Sequence, residues 1–174
     1  MSVTALKIRL YPNPVLRKKA MPVKEATLGL RDTLSKMAQI MYEQSGVGLA
    51  GPQVGISEMI IVLDIGTWLY KLINPQIIKK EGSRVTEEGC LSIPGVCIKV
   101  KRAKKILLKA QDEELRPVTI EAEDLLACVF QHEIEHLKGK LIIDHASFWE
   151  KLKIYKRLKE LKRMSPEKVC KLQL

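Results

Sequence analysis

Long apolar runs are missing from this sequence of 174 residues, in which unbroken aliphatic stretches such as 59–63 and 125–130 are short. A membrane-spanning helix needs roughly 20 apolar residues, so we expect no membrane partner. The N-terminus has no apolar stretch followed by a small-residue cleavage site, which leaves the cytoplasm as the expected compartment. Internal repeats and segments of biased composition are also missing. The length then predicts a single domain over 1–174.

Cysteine is scarce as well. The chain has four cysteines, Cys90, Cys97, Cys128 and Cys170, which are too few for a dense disulfide framework in a protein of this size. Because a reducing compartment keeps thiols free, we interpret them as packing residues or metal ligands.

Acidic residues are outnumbered by basic ones. The chain has 30 Lys and Arg against 20 Asp and Glu, which gives a formal net charge of +10. This excess predicts attraction to polyanions such as nucleic acid or ribosomes, without selecting one of them.

The spacing of apolar residues predicts three helices. The first begins after Thr27, a suitable N-cap, and ends before Ser45. The second runs from Asp124 to Gly139, a residue type that often ends helices. The third follows Ser147 over about 147–164 and is strongly basic, through Lys151, Lys153, Lys156, Arg157, Lys159, Lys162 and Arg163.

Segments rich in Val, Ile and Leu lie between these helices. They predict strands over 59–63, 68–74, 76–80, 96–102, 105–110 and 115–121, and a short one at 141–143. The stretch 46–55 contains four glycines and a proline, so we expect a loop with special backbone requirements. The pattern predicts an α+β fold with mostly antiparallel strands packed around the central helix, plus an N-terminal helix and a C-terminal helix.

The predicted central helix contains the segment His132-Glu133-Ile134-Glu135-His136, an H-E-x-x-H pattern. Residues four apart lie one turn apart on the same helix face, so both imidazoles can bind one metal ion. Glu133 stands beside them and can reach a water on that ion. The alternative is a solvated helix surface on which these side chains bind no metal.

A catalytic metal usually has three protein ligands, which raises the question of the third. In zinc endopeptidases of the metzincin type, a third histidine follows the glycine by three residues. Gly139 is in place, but Ile142 occupies that third position, and His145 lies three residues further on. A zinc endopeptidase is therefore disfavoured.

Two cysteines compete for the role of third ligand. Cys90 follows Gly89, whose small size lets the backbone approach a metal closely. Cys128 lies one turn before His132 on the same helix face. Spacing alone leaves both open.

The choice between Cys90 and Cys128 comes from a resemblance that three motifs carry. They are Gly46-Val47-Gly48-Leu49-Ala50-Gly51-Pro52-Gln53, Glu88-Gly89-Cys90-Leu91-Ser92 and the H-E-x-x-H segment. Together they closely resemble the three signature motifs of peptide deformylases, in the same order and with similar separations. The resemblance extends over most of the chain, from the opening at 11–17 to 139–141 and Asp144.

The resemblance implies a metal-dependent hydrolase that removes the formyl group from the N-terminal formylmethionine of nascent chains and releases formate. Cys90, His132 and His136 would be the ligands, and Cys128 would pack near the substrate pocket. The implied ion is Fe(II), replaceable by Zn(II), Ni(II) or Co(II). We expect no small organic cofactor.

The resemblance also assigns catalytic roles. Glu133 would take a proton from water and later protonate the leaving amine. The side-chain amide of Gln53 and the backbone N–H of Leu91 would stabilise the oxyanion. The helix face before His132 offers Leu125, Cys128 and Val129 as an apolar pocket for the methionine side chain, although plain core packing would explain them equally well. The other expected substrate-binding residues are Gly46, Val47, Gly48, Glu88 and Gly89. Glu88 could equally be a solvated loop carboxylate or a partner that orients a metal ligand.

The sequence departs from the family pattern at three positions: Glu135 replaces the usual Asp, Gly51 the usual Ala and Cys97 the usual Arg. The first could change metal affinity or rate, and the third removes a charge near the expected groove. The basic last helix could contact the ribosome, as a C-terminal helix does in some relatives, or be an ordinary solvated helix. A non-catalytic ribosome- or RNA-associated protein that kept the fold is the alternative from another class, and the intact motif residues argue against it.

Overall fold

The computed structural model describes residues 6–164. Its three helices are α1 (Leu28–Glu43), α2 (Asp124–Leu137) and α3 (Phe148–Arg163). Its strands are β1 (Gly48–Ala50), β2 (Ile60–Leu63), β3 (Tyr70–Glu81), β4 (Arg84–Glu88), β5 (Ile98–Arg102), β6 (Lys105–Gln111) and β7 (Pro117–Glu123). Short 3-10 turns occupy Pro14–Arg17, Gly51–Val54 and Ile142–Asp144. None of the described helices is both long and apolar enough to cross a bilayer.

The strands form two antiparallel sheets. One has five strands in the order β1-β2-β3-β6-β7, and the other pairs β4 with β5. The predicted α+β class with mostly antiparallel strands is confirmed. The two segments expected at 68–74 and 76–80 are one strand, β3, whose register shifts between Ile73 and Gln76, on either side of Pro75.

Strand β2 is buried on both faces, which explains its unbroken apolar sequence. Ile61 and Leu63 pack in a cluster with Phe130 of α2. Ile60 and Val62 point to the opposite face and pack with α1, whose buried residues Leu30, Leu34, Met37, Ala38 and Met41 recur at helical spacing. This strand therefore joins α1 and the central helix α2 through one layer of sheet.

Helix α2 is the most buried helix, since ten of its 14 residues are buried. It ends where Gly139 adopts a φ of +72°, and a Cβ there would lie 2.5 Å from the carbonyl oxygen of Arg17. Only glycine satisfies both conditions, so the predicted helix stop at this residue has a clear cause.

Helix α3 begins with a capping box in which Ser147 accepts from the Glu150 backbone N–H and the Glu150 side chain accepts from Ser147. Leu161 is buried in a cluster with Leu16 and Ile98, and Arg157 Nε donates to the Pro94 carbonyl oxygen at 3.0 Å. The helix is thereby fixed to the body of the protein by one face, and its other face is exposed.

Two expectations about local structure were wrong. The predicted strand at 141–143 is the 3-10 turn Ile142–Asp144, because the Asp144 carboxylate accepts from the Leu141 N–H while Arg17 holds the same carboxylate. The stretch 46–55 is also more regular than a loop, since it contains the edge strand β1 and a 3-10 turn. Strand β4 was missed, because its sequence RVTEE is mostly polar and gains its order from pairing with β5.

Candidate active site

Three side chains of the types that bind metal ions, Cys90, His132 and His136, converge beside α2. The helix places His132 and His136 one turn apart, and Cys90 follows the end of β4. Cys90 Sγ lies 3.2 Å from His136 Nε2, which lies 3.2 Å from His132 Nε2. Donors bound to one ion at about 2.0–2.3 Å are separated by roughly 3.3–3.6 Å in a tetrahedral site, so this set fits a single metal ion.

The hydrogen bonds of His132 present one particular nitrogen to the metal position. Its Nδ1 lies 3.0 Å from Glu88 Oε2, so a proton on Nδ1 leaves Nε2 free as a ligand. Burial opposes a charge on His132, but hydrogen bonds to Cys90 and Glu88 outweigh it and raise the pKa well above its ordinary value. Burial and the neighbouring His132 lower the pKa of His136 well below the usual range, which favours the neutral form that binds metals.

Glu88 is held as a carboxylate by a buried arginine. Arg102 Nε and Nη2 donate to the two Glu88 oxygens, each at 2.8 Å, and Arg102 is only 3% exposed. Burial alone would raise the pKa of Glu88, but the hydrogen bonds from Arg102 and His132 lower it to about 2. The Glu88 side chain therefore orients His132 from behind. Arg102 was not among the residues that the sequence predicted for the site.

Glu133 is buried beside the three converging side chains, and one of its oxygens has no partner among the described residues. It is 3% exposed, and its Oε2 forms no hydrogen bond within the described part of the chain. Burial is the largest cause that raises the pKa of this carboxyl group, to about 7. A carboxylate with a pKa near neutrality suits proton transfer.

Gly48 of β1 makes the space that Glu133 occupies. A Cβ at position 48 would come within 2.9 Å of Glu133 Cδ. A Cβ on Gly46 would come within 2.7 Å of Leu91 Cδ1. The glycines of the first motif therefore let β1 approach both the helix and the cysteine loop.

A cavity of about 410 Å³ opens onto this cluster. Strand β1 and the residues before it form one wall, β4 and the cysteine loop form another, and α2 forms the floor. The predicted site residues on its surface are Gly46, Val47, Gly48, Gln53, Glu88, Gly89, Cys90, Leu91, Leu125, Cys128, Val129, His132 and Glu133. His136, 1% exposed, lies behind this surface.

Thr86 also lines the cavity and was missed by the sequence interpretation. It precedes Glu88 by two residues on β4, so both side chains point to the same face of the strand, and their side chains are hydrogen-bonded at 3.1 Å. Recognition of β4 as a strand would have found it.

Gln53 directs its amide group toward the metal position. Its Oε1 accepts from the Ala50 N–H at 2.8 Å, which fixes the opposite end of the amide. Its Nε2 lies 3.5 Å from Cys90 Sγ and 3.2 Å from Ser92 Oγ. The side chain is 1% exposed and is therefore held in one orientation by its neighbours.

Cys128, the competing ligand, lies outside the group of metal-binding atoms. It is 3% exposed, lines the cavity with Val129, and burial raises the pKa of its thiol. Leu125 is 53% exposed at the cavity rim. These three residues give the cavity an apolar side, separate from the metal-binding group.

The three departures from the family pattern occupy different environments. Glu135 contacts Arg102 and His145, each at 2.8 Å. Cys97 is exposed and lies next to Gly89, which lines the cavity. A Cβ added to Gly89 would lie 3.9 Å from Cys97 Sγ. Gly51 packs against backbone, where a Cβ would lie 2.8 Å from a carbonyl oxygen.

Comparison with known proteins agrees with this geometry. A family model described as polypeptide deformylase matches residues 5–152. The chain belongs to the peptide deformylase family. The peptide deformylase of Syntrophomonas wolfei subsp. wolfei is 52% identical over 135 residues, which cover 78% of this chain and 89% of that protein. The peptide deformylase of Thermotoga maritima is 42% identical over 158 residues, which cover 90% and 96%.

The solved structures of the family lead to the same assignment. A crystal structure of a peptide deformylase from Legionella pneumophila has a TM-score of 0.86 and 39% identity, covering 91% of this chain and 95% of that one. As a member of this family, the present chain is a metal-dependent hydrolase that removes the formyl group from nascent formylmethionyl peptides. The zinc endopeptidase and the non-catalytic protein find no support.

Proposed function

We propose that Cys90, His132 and His136 hold the catalytic metal and that Glu133 is the general base of deformylation. The observation that carries this proposal is the unpartnered Glu133 Oε2, buried beside three converging metal-binding atoms. When bound, a divalent ion supplies Lewis acidity, which lowers the pKa of water and polarises a carbonyl group.

Glu133 moves protons in this mechanism. Its carboxylate accepts a proton from the attacking water, and the resulting acid later donates a proton to the amine that leaves the formyl carbon. The pKa of about 7 supports both roles, because a base near neutrality can take up and return a proton. Gly48 supports the same assignment by leaving the carboxylate its space.

Gln53 and Leu91 are proposed to stabilise the oxyanion that develops on the formyl oxygen. The fixed Gln53 amide presents N–H donors on the metal side, and Leu91 follows the ligand Cys90 along the same cavity. Donors that are already oriented need no reorganisation during the reaction, and one such donor can contribute about 3–4 kcal/mol.

The peptide is proposed to enter as an extended strand between β1 and β4. Among residues 6–164, β1 pairs only with β2 and β4 only with β5, so both strands present a free edge to the cavity. Gly46, Val47 and Gly48 would contact the peptide on one side and Gly89 on the other, with Glu88 behind. The methionine side chain would pack on Leu125, Cys128 and Val129.

The native ion is proposed to be Fe(II), from the family resemblance. A thiolate with two imidazoles also suits Zn(II), Ni(II) and Co(II), and intrinsic affinity favours zinc over ferrous iron. We further propose that the enzyme acts in the cytoplasm, on chains that still carry their N-formyl group.

The test is formate release from formyl-Met-Ala-Ser by anaerobically purified protein loaded with Fe(II), beside Glu133→Ala and with metal content measured for both. We expect the wild type to release formate and the variant to keep its metal and lose turnover. Release by the variant would contradict the role of Glu133. No release from metal-loaded wild type would contradict the proposed function.

A ribosome contact through α3 is proposed as well. Its outward face carries lysines such as Lys153, Lys156 and Lys159, while Leu161 and Arg157 fix the other face. Basic side chains that neutralise phosphates give binding that weakens as salt rises.

Co-sedimentation with ribosomes tests this contact. The double variant Lys156→Glu and Lys159→Glu should lose binding at low salt, whereas Lys18→Glu with Lys19→Glu, exposed near the N-terminus, should keep it despite the same change in charge. Equal retention by both double variants would overturn the contact.

A further inference from the structure

Arg102 links the two segments that carry the metal ligands. Two of its nitrogens hold Glu88, two residues before Cys90, and its Nη1 lies 2.8 Å from Glu135 Oε2 on α2. Glu135 directly precedes His136. One buried guanidinium, which is not part of the cavity lining, therefore ties the cysteine loop to the histidine helix.

Glu135 has a second partner nearer the surface. Its Oε2 also lies 2.8 Å from His145 Nε2, and the side chains of Glu135 and His145 are 22% and 30% exposed. The contacts continue inward from Glu135 to Arg102, from Arg102 to Glu88, and from Glu88 to His132. This series reaches from the surface to a metal ligand without a gap.

We propose that Glu135 is a positioning residue of the metal site, which acts through Arg102 and Glu88 on His132 and is held from outside by His145. The proposal rests on the ligand set of the proposed function. Glu135 touches neither substrate nor ligand through its side chain, so its effect must pass through Arg102.

The geometry of Arg102 explains why both carboxylates are needed. A guanidinium is planar, and all three of its nitrogens are used, two on Glu88 and one on Glu135. Without the Glu135 contact, Arg102 Nη1 would be left buried and unpaired. This favours a rotation of the guanidinium, which would also break its two hydrogen bonds to Glu88. His132 would then lose the partner that fixes its ring.

Charge supports the same role. Two carboxylates face one guanidinium behind the ligands, so the group carries a net negative charge that favours a bound cation. The length of the side chain matters as well, since glutamate is one methylene longer than the aspartate usual in the family. We infer that this extra reach lets the same oxygen meet both Arg102 and His145.

The test compares Glu135→Leu, which removes both the charge and the oxygen that accepts from Arg102, with Glu121→Leu on β7. Glu121 is exposed and pairs with Lys105, so its replacement removes one carboxylate and one ion pair away from Arg102. Apoprotein of each is titrated with Zn(II) against a chromophoric chelator. The absorption spectrum of the Co(II) form and the Tm of the apoprotein are measured in parallel.

We expect Glu135→Leu to lose about 10-fold or more in Zn(II) affinity and to shift the Co(II) bands, with Glu121→Leu unchanged in both. His145→Phe should show a smaller loss in the same direction. Unchanged affinity and spectrum in Glu135→Leu would overturn the proposal, even if the Tm fell, because a purely structural residue would give that result.

Two further variants keep the outcome decisive. If Glu135→Leu does not fold, Arg102→Lys replaces it, since a lysine keeps the charge but has one nitrogen in place of the three that contact Glu88 and Glu135. Wild-type affinity in Arg102→Lys would overturn the proposal. Cys90→Ser separates this proposal from the ligand assignment. Retained affinity in Cys90→Ser would contradict the ligand set itself, whereas its loss leaves the Glu135 result to be judged alone.

Discussion

Gly48 and Glu133 share one space in this enzyme, because a Cβ at position 48 would lie within 2.9 Å of Glu133 Cδ. The two residues are far apart in sequence, on an edge strand and on the central helix. A side chain at position 48 would therefore displace the Glu133 carboxylate, and the Glu133 side chain requires glycine at position 48.

The first prediction is that Gly48→Ala lowers kcat by about 10-fold or more while leaving metal content near wild type, because the methyl group displaces the proposed base and not a ligand. Formate release and elemental analysis measure the two quantities. Gly29→Ala in α1 is the matched control, since its Cβ would meet nothing closer than 3.8 Å. Equal kcat in the two variants would contradict the prediction.

The second prediction concerns the pH dependence of apoprotein stability. Unfolded Glu133 loses its proton near pH 4.5, whereas the buried side chain has a pKa of about 7. Between these values the folded state binds more protons than the unfolded state, so this residue makes stability fall as pH rises, by about 3 kcal/mol over the whole window.

Thermal unfolding of apoprotein from pH 4 to pH 8 measures this effect. Glu133→Gln has no proton to release, so its Tm should rise relative to wild type as pH increases through the window. Glu121→Gln, which removes an exposed carboxylate on β7, is the matched control variant. A constant difference between Glu133→Gln and wild type would contradict the assigned pKa.

The third prediction is a loss of stability in Gly139→Ala. The left-handed φ of +72° and the Arg17 carbonyl oxygen at 2.5 Å both oppose a Cβ, and the conformation alone costs about 1–3 kcal/mol. Urea unfolding of the two proteins gives the difference. Gly66→Ala separates the two causes, because Gly66 has a φ of +94° with no atom within 4 Å, so it should lose less.

The fourth prediction concerns Cys97, which is exposed next to Gly89 at the edge of the cavity. Cys97→Arg should lower KM for formyl-Met-Ala-Ser a few-fold at low salt and leave kcat unchanged, because the added cation attracts the peptide carboxylate. The same peptide with an amidated C-terminus should show a smaller change. Equal KM changes for both peptides would contradict this electrostatic explanation.

Much of the site was predictable from the sequence because its motifs are local. The H-E-x-x-H pattern needs only helical spacing to place His132 and His136 together. The glycines near position 48 indicate a segment with special backbone requirements. The choice of Cys90 over Cys128 was different, since spacing left it open and the family resemblance decided it. In the structure, Cys90 Sγ lies among the converging donors, and its role as a ligand stays a proposal.

Other parts depend on contacts between distant segments, which a single sequence does not display. Arg102 is one of many basic residues in a charged stretch, and only the pairing of β4 with β5 brings it to Glu88. The turn at Ile142–Asp144 likewise depends on Arg17, 127 residues before Asp144. Local propensity favoured a strand at 141–143, but the hydrogen bonds of the Asp144 carboxylate to the Leu141 N–H and to Arg17 stabilise the turn instead.

The free edges of β1 and β4 have a consequence for what a bound peptide does to the enzyme. No backbone ladder joins the five-stranded and two-stranded sheets among residues 6–164. An extended ligand paired with both edges would supply that ladder itself and join the two sheets through its own backbone. The substrate would then be a temporary structural strand of the protein, released when the reaction is complete.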